Sequence, residues 1–213
     1  MRLRIPARRI VLFAALLAFG LLIFLPLRRV LGWAGGPIDA REASGSVWSG
    51  SLKEARIGGA ALGDLNARLA FLPLLVGQAR FEVERPSGAP DRFAGAFAIS
   101  ARARSAQSVT GTVPVEGAFG ALPVAALDLT DVTVRFRDDT CDSAEGLVRA
   151  TLSSAPEGLP ASLSGSARCD RGALLLPLAA GAGGVELRLF GDGRWTAAVR
   201  LPTGAGPTIE GRF

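Results

Sequence analysis

Val132-Thr-Val-Arg-Phe-Arg137 decides the fold class. Successive side chains of an extended chain point to opposite faces, so Val132, Val134 and Phe136 share one side and Thr133, Arg135 and Arg137 the other. That pattern predicts a strand with one face buried and one in water.

The same period of two recurs in both directions along the chain. Upstream, Phe81 and Val83 alternate with Glu82 and Glu84, and Phe93, Phe97 and Ile99 share a parity. Downstream come Val148, Ala150 and Leu152; then Leu163, Ala167 and Cys169 against Ser162, Ser164, Ser166 and Arg168; then Val185, Leu187 and Leu189; then Trp195, Ala197, Val199 and Leu201. Roughly nine or ten short strands fit this body. Gly191-Asp192-Gly193 reads as a tight hairpin turn, and Pro86 to Pro90 and Pro156 to Pro160 as longer breaks. Residues 86–91 and 102–112 are looser in composition. Gly117 to Leu129 has room for a turn of helix that Pro123 limits. The expectation is an all-β body, mostly antiparallel. Its architecture is either two sheets packed as a sandwich or one long sheet bent so that its apolar face lines a trough.

A different pattern precedes the body. Ile10 to Leu27 (IVLFAALLAFGLLIFLPL) carries no charge and no hydrogen-bonding side chain, with Arg2, Arg4, Arg8 and Arg9 before it and Arg28 and Arg29 after it. As a helix it would span about 27 Å, close to the thickness of a hydrocarbon core. The run is longer than the apolar region of a cleaved signal peptide, and two arginines stand where a cleavage region would begin. The reading is an uncleaved, single-pass transmembrane anchor, with the excess of arginine before it keeping the N-terminus in the cytoplasm. The chain divides accordingly into a basic cytoplasmic tail (1–9), a transmembrane anchor (10–27), a juxtamembrane linker (28–43) and a β-rich domain on the far side of the membrane (44–213). Trp33 suits the membrane interface better than Trp48.

Charge follows the same division. The chain of 213 residues has a net charge of +5, but residues 1–29 hold six arginines and no acid, which leaves the body at about −1. No nucleic-acid partner is expected from a neutral body. There is no His, which removes the commonest general base and the commonest metal ligand together. No nucleophile elbow, phosphate loop or zinc-protease motif occurs. The acidic cluster Asp138-Asp139-Thr-Cys-Asp142 lacks the glycine and terminal glutamate of a calcium loop and reads as a solvated hairpin turn. The expectation is no enzyme, no cofactor and no metal. The only two cysteines, Cys141 and Cys169, lie 28 positions apart and read as a disulfide if the body faces an oxidising compartment. Ile209-Glu-Gly-Arg-Phe213 ends the chain on an amphipathic strand with a terminal aromatic, a feature shared with outer-membrane barrels, though most runs here are shorter than the about 9–11 residues a spanning strand needs.

The order of several short motifs carries a family likeness. Gly45-Ser-Val-Trp48-Ser-Gly50 leads into Leu52-Lys-Glu-Ala-Arg-Ile57, and Leu69-Ala-Phe-Leu-Pro73-Leu-Leu75 follows. Cys141-Asp-Ser-Ala-Glu-Gly146, Leu163-Ser-Gly165-Ser-Ala-Arg-Cys169, Gly172-Ala-Leu-Leu-Leu176 and Gly193-Arg-Trp195 complete the set. This arrangement resembles the type II secretion system protein N (general secretion pathway protein N) family over nearly the whole chain. The resemblance implies a bitopic inner-membrane component with a periplasmic β-rich body. It would help export proteins across the outer membrane through contacts with other inner-membrane subunits. The alternative from the residues alone is a periplasmic protein that carries lipid in an apolar β-sheet groove. The stretch from Gly45 to Gly50 reads as the first hairpin of the body, with Leu52 and Ile57 in its second strand.

Overall fold

In the computed structural model the described residues are 20, 38–57, 60–86, 88, 91–120, 122–154, 160–202 and 204–213. The basic tail, Trp33, the turn at 156–159 and the apolar run at 10–27 apart from Gly20 lie outside them. Among the described residues no helix is long and apolar enough to cross a membrane.

The strands are β1 (Ile38–Asp39), β2 (Glu42–Ser46), β3 (Ser49–Ile57), β4 (Ala60–Ala70), β5 (Ala79–Glu84), β6 (Phe93–Ile99), β7 (Ala103–Pro114) and β8 (Val124–Arg137). After the β8 turn come β9 (Thr140–Leu152), β10 (Ser162–Ser166), β11 (Arg168–Asp170), β12 (Ala173–Ala180), β13 (Gly183–Leu189), β14 (Arg194–Leu201) and β15 (Gly204–Arg212). One helical turn, α1 (Phe71–Leu74), joins β4 to β5. Pro73 sits in its first turn, where a missing N–H costs nothing. Within 117–129, where a turn of helix had room, residues 117–120 form turns and 124–129 belong to β8.

All strands belong to one antiparallel sheet that follows chain order as a meander, with β1 and β2 both along β3, and β10 and β11 both along β12. The loose stretch at 102–112 is mostly β7, paired along β6 and β8. Fifteen strands are described against the nine or ten read from periodicity. Part of the surplus is short pieces, β1 with β2 and β10 with β11, that run in one register along β3 and along β12.

The sheet curls. In a flat sheet β9 and β13, with β10 and β12 between them, would lie about 14 Å apart. Yet Arg104 at the start of β7 pairs with Asp139 in the β8–β9 turn and also donates to the carbonyl of Gly191 in the β13–β14 turn at 3.0 Å. One apolar cluster draws Val132 and Val134 from β8, Val148 and Ala150 from β9, Leu163 from β10, Leu176 from β12, Leu187 from β13 and Trp195 from β14. A second cluster lies under β3 to β7 around Leu52, Leu65, Phe93 and Val109. Val113 and Leu129 pack against both, so the sheet has one continuous apolar face. The loop 115–123 folds over that face, with Val115, Phe119 and Leu122 buried.

Candidate docking surfaces

The hairpin that begins the body places Gly45 opposite Gly50 across β2 and β3, with Val47 and Trp48 at its turn. Val47 is buried while Trp48 is half-buried, which resolves how two neighbours on one strand turn can both be apolar. The Trp48 ring meets Phe71 of α1 at 6.0 Å, and the Leu69 N–H donates to the Val47 carbonyl. The motif residues Gly45, Trp48, Gly50 and Pro73 therefore gather at one end of the sheet.

That end is apolar and open to solvent. Phe71, Leu72, Leu75 and Val76 are exposed by 56%, 76%, 70% and 80%, and Ile99, at the end of β6, by 51%. Ile99 pairs with Ala79, the first residue of β5, so it adjoins the α1 turn. Five of the seven exposed large hydrophobic side chains among the described residues are thus on one tip. Sequence reading registered the run as a motif and missed that it projects outward. An apolar run looks the same in sequence whether it caps a core or stands in water.

The second group of motif residues lies in the curled half. Cys141 and Cys169 form a disulfide with a Cα–Cα distance of 5.5 Å. It ties the start of β9 to β11, beside a backbone bond from the Ala167 N–H to the Gly146 carbonyl. Gly165 lies in β10 opposite Val148. Gly193 closes the turn into β14, where Trp195 is 4% exposed and stacks edge-on against Phe119 at 5.6 Å. Phe119 also meets the terminal Phe213 at 5.5 Å. The Trp195 indole N–H is buried and has no hydrogen-bond partner among the described residues. Phe119 had no sequence signal: it stands in a Gly/Ala/Pro-rich stretch without alternation.

The interior leaves little space. The cavity under the loop, bounded by Phe119, Leu122, Leu127, Leu163, Leu178 and Leu187, measures ≈ 10 Å³. Small-molecule sites are about 300–1,000 Å³. A larger space of ≈ 420 Å³ lies on the polar face along Ser44, Ser51, Asn66, Arg68, Glu82 and Glu84. Those residues belong to neighbouring strands of the same sheet, so the space is the open saddle of a twisted surface. Among the described residues no three His, Cys, Asp or Glu side chains come together to hold a metal.

The two sheet edges differ. On the β2 side, Lys53 pairs with Glu42 at 3.0 Å and Arg41 with Glu54 at 2.9 Å, and charged edges of that kind resist strand addition. The β15 edge pairs with β14 alone, and its first six residues, Gly204 to Ile209, are uncharged. Asp170 and Asp192 hold their carboxyls below the usual value, Asp170 chiefly through the hydrogen bond from Arg188 at 2.5 Å and Asp192 through that from Arg194 at 2.6 Å. Both pairs are structural features of the curled half.

The described residues form an all-β protein built on one curled antiparallel sheet with a filled interior, an apolar tip and an open edge. Residues 36–210 match the family described as type II secretion system (T2SS), protein N, and the chain belongs to that family. Membership gives it a role in type II secretion as a component of the apparatus. Comparison with curated proteins gave no match, and neither did comparison with solved structures.

Proposed function

We propose that the chain is a bitopic inner-membrane component of the type II secretion system, anchored by residues 10–27 with its sheet in the periplasm. It takes part in export of proteins across the outer membrane through contacts with other inner-membrane subunits, and it catalyses no reaction. The open β15 edge carries this reading, because its uncharged residues on either side of Pro207, which lacks an N–H, offer unpaired backbone groups to a partner strand. The disulfide agrees with an oxidising compartment. The lipid-carrying alternative needs an apolar groove along the sheet, and Phe119 and Leu122 occupy that position here.

Two experiments test the proposal. Deleting the gene should leave proteins exported by type II secretion in the periplasm; normal export in the deletion strain would contradict the role. A reporter fused after Phe213 should be active only in the periplasm, and activity only in the cytoplasm would overturn the topology.

A further inference from the structure

We infer that the tip formed by Trp48, Phe71, Leu72, Leu75, Val76 and Ile99 inserts into an anionic lipid surface. This rests on the proposed anchoring by residues 10–27. Three observations favour lipid over protein as the occupant.

The first is charge. This end carries Arg68, Arg80, Arg102 and Arg104, and its acids are Glu82, which lies opposite Arg68 and 3.9 Å from Arg80, and Asp138 and Asp139 in the adjoining β8–β9 turn. Arg80 donates to Gln107 at 2.5 Å, and Arg104 pairs with Asp139 of the adjoining turn. Arg68 and Arg102 are exposed and form no ion pair among the described residues, which leaves two guanidinium groups at this end free to meet lipid phosphates.

The second is shape and size. The exposed apolar side chains are confined to the short turn from Phe71 to Val76 and to the adjoining Ile99. A fluid bilayer needs no complementary hollow. Tethering by the anchor also raises the local concentration enough for a weak insertion to count.

The third is reach. The sheet begins at Ile38, paired to Ile57, at the end of β3 away from the tip. Ser49 and Ile57 are about 26 Å apart along the strand. The ten residues 28–37 reach at most about 33–36 Å. The sheet can therefore stand tip-down on the bilayer from which the apolar run emerges.

The test uses the full chain, with its native disulfide intact, in vesicles of phosphatidylethanolamine and phosphatidylglycerol. A polarity-sensitive fluorophore is attached at Leu75→Cys, or in separate samples at Thr208→Cys on β15 or Gly20→Cys in the apolar run. Brominated acyl chains should quench the Leu75 label about threefold more than the Thr208 label, less so in phosphatidylcholine alone, and not when Leu72→Ser and Val76→Ser are added. Arg68→Gln with Arg102→Gln should remove the preference for phosphatidylglycerol. A Leu75 label no more quenched than the Thr208 label, while the Gly20 label is quenched, overturns the tip and leaves the anchor standing. An unquenched Gly20 label overturns the anchor and the tip with it. A Leu75 label shielded from aqueous iodide but untouched by bromine, with the shielding lost on dilution of the protein in the membrane, would mean that a second copy covers the tip.

Discussion

Gly146 shows how tightly single positions are held in the curled half. Its φ is +107°, and a Cβ there would sit 2.5 Å from the Asp131 carbonyl oxygen on β8, where Asp131 itself has φ 50°. Both effects oppose any side chain, and Gly146→Ala should destabilise the fold by about 2–4 kcal/mol in urea unfolding. A Cβ at Gly165 would overlap the Pro177 carbonyl where β10 approaches β12. Trp195 makes the opposite case. Its ring is buried against Phe119, so Trp195→Ala should cost about 3–5 kcal/mol. Trp195→Phe keeps most of the apolar burial and removes an N–H that is buried without a partner, a group worth about 1–3 kcal/mol in the other direction. Thermal melts should therefore place Trp195→Phe close to the parent chain and Trp195→Ala far below it. A Trp195→Phe variant as damaged as Trp195→Ala would mean that the indole N–H has a partner such as an ordered water.

At the scale of elements, the disulfide fixes β9 to β11 where β10 gives way after Ser166. Replacing both cysteines with Ser should lower stability by about 3 kcal/mol, in line with closure of a loop of this length, while leaving the β-sheet circular dichroism intact. The Asp170–Arg188 and Asp192–Arg194 pairs set a pH dependence of defined sign. Each carboxyl has a folded value depressed below the unfolded one of about 3.9, so its contribution is present above that pH and is lost as pH falls through the folded value. A carboxyl-resolved NMR titration should find both midpoints below 3.9. Replacing Arg188 with Gln should bring that of Asp170 back up. Strands such as β5, β8 and β13 were legible because large apolar and charged side chains alternate in them. β12 was not, because Leu174, Leu175, Leu176 and Leu178 are all buried and a strand covered on both faces has no alternation to read. β7 was hidden by its Ala, Ser and Gln content. Bulges hid more. Leu52 and Ala55 are three residues apart and both buried because the ladder slips between them, with Glu54 at φ 51°.

For the whole molecule, periodicity left sandwich and bent sheet open, and what separates them is contact between distant turns. The meeting of the β8–β9 and β13–β14 turns through Arg104 closes the curl, and no local sequence pattern encodes a contact between residues 104, 139 and 191. Both candidate surfaces follow from that shape: an apolar tip at one end of the strands and an open edge at β15. The family assignment was legible from the order of short motifs, whereas the surfaces on which those motifs lie were not. The central claim is that the sheet works by contact with other subunits of the secretion apparatus, and its most direct test is site-specific photocrosslinking in living cells from Thr208 on β15. The account predicts a crosslink to an identified inner-membrane subunit of the apparatus, abolished when the crosslinker is moved to Arg41 on the charged β2 side. No crosslink to any apparatus subunit from Thr208, in cells whose type II export depends on this protein, would contradict it.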